Sequence, residues 1–336
     1  MRRFAAGILA GIMLVYGGLA AAYGALATIW PGNLPAPAIS RLSPLDEKLR
    51  FLRQNQHLDP QVLAVGSSIT WRQVAGSEFA RLTDGTGHFL NGATGYLKIH
   101  QTKDLLDFYL EHFRNVRTVL LFTGPPDYED CTAEPAALLD HDDAASYAFG
   151  GAPSPYFYLR YFSPQRYLRG AMTLHHRSRP LIGDMSLDRY GSSPLHVPAR
   201  MLVGLRYGAI AHDPACANAL AGLADDLDRR GIKLIVVFAP VHPEYRREFP
   251  EVMAALDRVA RDMETLGERE GLEVIRLSDD DGFAGNDFFD AFHLQWPAVQ
   301  RLSRDIATAV ASAAGNAAGQ VSTLDKKPSA PPARKM

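Results

Sequence analysis

The chain has 336 residues, a formal net charge of -2 and 47% hydrophobic content. That length admits two domains or one α/β domain carrying an insertion. The balanced charge gives no basic stripe of the kind that binds nucleic acid. No Gly-rich phosphate loop, Cys-x-x-Cys or Cys/His cluster is present, so neither a nucleotide site nor a metal centre nor any cofactor is expected.

Arg2 and Arg3 precede an uncharged apolar and small-residue run from Phe4 to Trp30, and the next charge is Arg41. About 20 apolar residues cross a bilayer as a helix. The run exceeds the roughly 7–15 residues of a signal-peptide core, which favours an uncleaved anchor over residues 1–30. The arginines on one side place the N-terminus in the cytoplasm and the body in the periplasm or outside the cell. The alternative is cleavage near Ala20–Ala25, where small residues suit a signal peptidase. Gly7 and Gly11 have the spacing of a membrane-helix packing motif, which also arises by chance.

Residues 31–57 read as a Pro/Ala-rich linker followed by a lead-in helix over Leu45–Gln56. From residue 58 to 315 strands alternate with helical patterns. The predicted strands are Val62–Ser67, His88–Gly92, Val116–Thr123, Ile232–Ala239 and Leu272–Leu277. Their near-continuous apolar runs suit parallel strands buried on both faces. Helical periodicity marks Thr102–Phe113, Asn218–Arg230, Pro250–Glu270 and Trp296–Ala314. The pattern predicts a doubly wound α/β fold on a parallel sheet.

Residues 130–213 interrupt the alternation and are rich in aromatics and turn formers. A connection this long forms either a lid or substrate wall, or helices that only pack. Cys131 and Cys216 bracket it. In an oxidising compartment they form a disulfide, and elsewhere they remain two thiols. His175-His-Arg-Ser-Arg179 reads as a solvated basic loop or a contact for an anionic polymer. Residues 316–336 are Ala-, Ser-, Lys- and Pro-rich and predict a disordered tail.

The chemistry gathers at strand ends. Gly66-Ser67-Ser68 follows the first strand, at the sheet edge where open α/β folds bind ligands. Asp290-Ala-Phe-His293 follows the last strand, and the three-residue spacing sets both side chains on one face. A serine nucleophile needs a base, and the base needs an acceptor that fixes its tautomer. His293 and Asp290 supply both for Ser68. Pro240-Val-His242-Pro, after the fourth strand, opens at the same edge; His242 either contacts substrate or sets a turn.

In these residues the chain resembles the SGNH/GDSL hydrolase superfamily. Ser68 matches the family nucleophile, with Ser67 where an Asp is usual, and Asp290 and His293 match the terminal Asp-x-x-His. Asn91-Gly-Ala-Thr-Gly95 matches the glycine block, so the resemblance assigns the oxyanion hole to backbone N–H groups of Ser68 and Gly95. The block Gly124-Pro-Pro-Asp127 keeps Asp127, a possible substrate-site residue, but has Pro126 where the family has an oxyanion-binding Asn. Proline has no N–H to donate.

The resemblance implies a three-layer α/β/α flavodoxin-like fold and a serine esterase or O-acyltransferase. It is strongest to membrane-anchored branches that act with a membrane-bound O-acyltransferase partner in D-alanylation of lipoteichoic acid and O-acetylation of alginate. It therefore implies an acylated cell-envelope glycan or another acyl ester as substrate. The loss at Pro126 leaves open a non-catalytic assembly or binding protein of such a system.

Overall fold

The computed structural model describes residues 2–30, 34–81, 88–174, 186–197, 207–267, 271–277 and 282–308. The basic run His175–Arg179 and the tail after residue 315 lie outside the described residues.

Helix α1 (Arg2–Ile29) is long and apolar enough to cross a membrane, and nearly all of its side chains stand exposed. Helix α2 (Ser43–Gln54) starts two residues before its expected position, because Pro44 in its first turn fits a helix start. The core then alternates strands and helices: β1 (Val62–Ala64), α3 (Ser68–Gln73), α4 (Gly76–Ala80), β2 (Phe89–Asn91), α5 (Ile99–His112) and β3 (Thr118–Thr123). Within residues 130–213 lie α6 (His141–Ala148), α7 (Ser154–Arg160) and α8 (Pro164–Leu174). The alternation resumes with α9 (Pro214–Arg229), β4 (Lys233–Phe238), α10 (Pro243–Glu248), α11 (Pro250–Leu266), β5 (Leu272–Arg276) and α12 (296–308).

All five strands are parallel, in the order β2-β1-β3-β4-β5. The apolar runs of β3 and β4 are buried on both faces, as a sheet covered on both sides requires. With right-handed crossovers, α5, α9 and α11 pack side by side on one face. Helices α3, α4 and α12 cover the other, where the Ser303 hydroxyl of α12 accepts the Ala75 N–H. Two of the long helices start on a sequence signal. Asp213 caps α9 by accepting the Ala215 N–H, and Pro250 opens α11.

The chain leaves β1 toward β2 on one side and returns to β3 on the other. The carboxyl ends of β1 and β3 therefore flank the reversal in strand order, where sheets of this kind leave a crevice. β1 is shorter than its apolar run because Gly66 turns the chain at φ +144°. A Cβ there would lie 2.5 Å from the Thr70 hydroxyl and 2.7 Å from Leu121, so neither conformation nor space tolerates a side chain.

The described parts of segment 130–213 pack in different places. Helices α7 and α8 lie against α1, whereas residues 186–197 run along the sheet edge to the elements after β1 and β5. Cys131 and Cys216 are joined in a disulfide across a sequence separation of 85 residues.

Candidate active site

Ser68 is the first residue of α3. Ser67 caps that helix with its hydroxyl, which accepts the Ile69 N–H at 3.1 Å. The turn is clamped to the sheet because the Thr70 hydroxyl donates to Phe122 O at 2.7 Å and accepts the Phe122 N–H at 3.0 Å. Thus α3 leaves β1 in one fixed direction, with Ser68, the candidate nucleophile, in its first turn.

The candidate base, His293, arrives from the other end of the chain. Residues 287–295 fold back on themselves: Phe288 and Leu294 form an antiparallel bridge, and Gln295 N–H donates to Asp287 O at 2.7 Å. Asp290 to His293 form the tip of this hairpin. The Asp290 Oδ1 accepts the backbone N–H groups of Phe292 and His293, each at 2.9 Å, which fixes the carboxylate. His293 Nδ1 lies 2.9 Å from Asp290 Oδ2 and 3.0 Å from Oδ1. Its Nε2 lies 2.9 Å from Ser68 Oγ. Asp290 is 5% exposed and His293 8% exposed. Burial pushes the Asp290 carboxyl up, but the His293 ring and the two N–H donors outweigh it and hold the group below its usual range.

Gly95 follows Thr94, whose N–H donates to Gly66 O at 3.1 Å, so the loop after β2 runs beside the nucleophile turn. A Cβ on Gly95 would lie 3.4 Å from the ring of Trp71, one helical turn past Ser68. Among the described residues, the N–H groups of Ser68 and Gly95 donate to no protein acceptor. The first N–H groups of a helix have no intrahelical partner, which leaves that of Ser68 available to an anion.

Asp127 is 2% exposed and lies beneath the turn rather than on its surface. Burial pushes its carboxyl up to about 6, against the lowering effect of a hydrogen bond from the Ser67 hydroxyl. The Thr123 hydroxyl and the Gly124 N–H also donate to it, at 2.9 and 3.3 Å. Ser67 and Asp127 therefore bind the loops after β1 and β3 together. The carbonyl of Pro126 accepts the Lys98 ammonium at 3.2 Å.

His242 caps α10, its Nδ1 accepting the Glu244 N–H at 3.1 Å. Its backbone N–H donates to Ala291 O at 2.9 Å, and its ring packs on Phe288. It braces the hairpin that carries His293.

Four further braces have no signal in the local sequence. Gln73, fully buried on α3, donates to Phe292 O at 2.7 Å, tying the nucleophile helix to the base hairpin. Ser193 N–H donates to Trp71 O, and Trp296 N–H to Leu195 O, so residues 186–197 strap the two elements from behind. Gln295 exchanges two hydrogen bonds with the backbone of Val197. Lys48, fully buried on α2, donates to the carbonyls of Asn91 and Gly191.

The arrangement suits abstraction of a proton from a serine hydroxyl. Among the described residues no group of three His, Cys, Asp or Glu side chains is placed to hold a metal ion. No protein-family model matches the chain, and a search of curated proteins returns no match.

Proposed function

We propose that this chain is an SGNH/GDSL-type serine esterase or O-acyltransferase, held by α1 in the cytoplasmic membrane with its body in the periplasm or cell exterior. One observation carries the reading: the continuous chain from Ser68 Oγ through His293 to the buried Asp290, with both links at 2.9 Å. The strand order supports it, since 2-1-3-4-5 is that of flavodoxin-like sheets, with a ligand crevice at the switch point.

In the first half-reaction Ser68 Oγ attacks an ester carbonyl carbon while its proton passes to His293 Nε2. Asp290 accepts the Nδ1–H and stabilises the imidazolium. The carbonyl oxygen takes up negative charge toward the N–H groups of Ser68 and Gly95. The intermediate collapses, His293 returns the proton to the departing alkoxide, and the acyl group stays on Ser68. In the second half-reaction water or a sugar hydroxyl attacks the acyl-serine while His293 takes its proton; the acyl–Oγ bond then breaks and His293 returns the proton to Ser68 Oγ. Hydrolysis and transfer differ only in this acceptor. The membrane anchor and the resembled branches favour an acylated envelope glycan as substrate and a membrane-bound O-acyltransferase as partner.

The test is labelling with a fluorophosphonate probe, alongside a panel of ester substrates offered with and without glycan acceptors. Wild type should label and turn over esters, and Ser68→Ala should do neither. Equal labelling of the two would remove the basis of the enzyme reading.

Pro126 favours a second reading. Loss of one oxyanion donor typically costs about 10²–10³ in rate, and a chain that has lost it serves equally well as a non-catalytic binding protein of the same envelope system. An unlabelled wild type that still binds the glycan would select this reading.

A further inference from the structure

We infer that the hairpin α7–α8 is sunk into the outer leaflet of the membrane that α1 crosses. The inference rests on the reading of α1 as a membrane span.

The helices are held to α1 along its outer half. Phe162, in the turn between α7 and α8, packs edge-on against Tyr16 at 4.9 Å, and Tyr167 stacks on Tyr23 at 4.7 Å. A Cβ on Gly24 would meet Leu159 at 3.5 Å. The turn is thus the deepest point of the hairpin along α1, at the level of Tyr16.

The length of α1 then sets the depth. Between Arg3 and Tyr16 the helix rises about 20 Å, at about 1.5 Å per residue. A hydrocarbon core is about 30 Å thick. With Arg3 at the cytoplasmic interface, the uncovered part of α1 falls short by about 10 Å. The missing span is the stretch beside Phe162, so the turn lies below the outer boundary. A depth of about 5–10 Å is that of helices lying in the headgroup and acyl boundary.

The surface of the hairpin fits that medium. Outside α1, the described residues expose only five large apolar side chains; one is Trp30, directly after α1, and three are Tyr156 (48%), Leu159 (49%) and Leu168 (64%) on α7 and α8. Leu159 lies against Gly24 of α1, and Tyr16, Leu19 and Leu26 of α1 are themselves exposed beside the hairpin's attachment. The medium that covers α1 therefore covers them too, and no further protein is needed. The charge nearest the turn is compensated: Arg160 pairs with Asp143 at 2.7 Å and donates to the Tyr156 hydroxyl at 2.6 Å.

The experiment uses the full chain in lipid nanodiscs, with single cysteines carrying a polarity-sensitive fluorophore and the native disulfide kept oxidised. The variants are Tyr156→Cys and Leu168→Cys on the hairpin, Met13→Cys on α1 and Ala136→Cys on the exposed body. Lipids brominated high on the acyl chain should quench the hairpin labels about twofold, as expected for interfacial depth. Ala136→Cys should stay unquenched. Quenching at Met13 but not at Tyr156 or Leu168 would overturn the inference and leave the anchor standing. Absence of quenching at Met13 would overturn the anchor and the inference together. Hairpin labels in an apolar setting but unquenched by brominated lipid would mean that a protein covers the face, which also overturns it.

Discussion

Asp290 takes part in the proposed chemistry only through His293, so its substitution separates geometry from charge. Asn in its place keeps the shape of the hairpin tip but no longer requires a proton on Nδ1. The expected result for Asp290→Asn is a fall in kcat of about 10⁴ with KM little changed, read from steady-state ester hydrolysis. Asp127 carries a different prediction. Its folded pKa, about 6, lies above that of an unfolded aspartate. The native state therefore binds this proton more tightly, and the contribution is fully present below the unfolded pKa and lost as pH rises through about 6. For this buried group the loss between pH 4 and 7 should be roughly 2 kcal/mol. Asp127→Asn cannot titrate, so the difference between wild-type and variant urea unfolding curves should change by that amount across the window. Opposite signs operate within one site. Asp290, held below its usual range, stabilises the fold above the unfolded carboxyl pKa and fails as pH falls through its own. The candidate triad was legible in the sequence because Ser68 sits just past a strand and Asp290 and His293 are three residues apart. Gln73, bonded to a carbonyl 219 residues away, and Lys48, bonded to one 143 residues away, have no local pattern to announce them. Nor does the Ser67–Asp127 hydrogen bond, which joins two positions that each look like a single departure or match.

The strands were legible for the same physical reason at the scale of elements: runs such as Val119 to Phe122 and Leu234 to Val237 are buried on both faces and leave no polar alternation. Their ends were less so, since backbone turns set them, as Gly66 does for β1. Segment 130–213 was the least legible. Its aromatics serve two different surfaces: Tyr158 and Tyr167 pack with α1, whereas Tyr190 packs on Phe89 of β2. Composition does not tell these surfaces apart. The disulfide closes the segment at its base, with both cysteines buried. Closing a loop of about 85 residues removes unfolded-state entropy worth roughly 4 kcal/mol in the loop model. The paired substitution Cys131→Ser with Cys216→Ser should therefore lower Tm by about 10 °C in a thermal scan. Because the disulfide base lies beside Glu129 and the strap 186–197 lies far along the loop, early melting in hydrogen exchange should reach that strap before the sheet.

At the scale of the whole molecule, two hydrophobic clusters define two separable attachments. The main core runs from α2 through the sheet to α12 and includes no residue of α1. Helix α1 meets the body in a second cluster of Ala27, Leu34, Tyr158 and Tyr167, with Tyr23 and Phe162 packed on it. A chain beginning at Leu34 therefore keeps every residue of the main core and all three members of the triad. Sites this distant couple by only about 0.3–0.5 kcal/mol, so its kcat/KM on a small soluble ester should stay within about twofold of the full chain. Its solution behaviour should differ. Removing α1 uncovers Tyr158, Phe162 and Tyr167 beside the already exposed Tyr156, Leu159 and Leu168, a contiguous apolar patch of the kind that drives association. Sedimentation velocity should show concentration-dependent self-association of the truncated chain, relieved by Phe162→Asp with ester hydrolysis unchanged. A truncated chain that stays monomeric at all concentrations would show that α1 does not cover this patch in the folded protein.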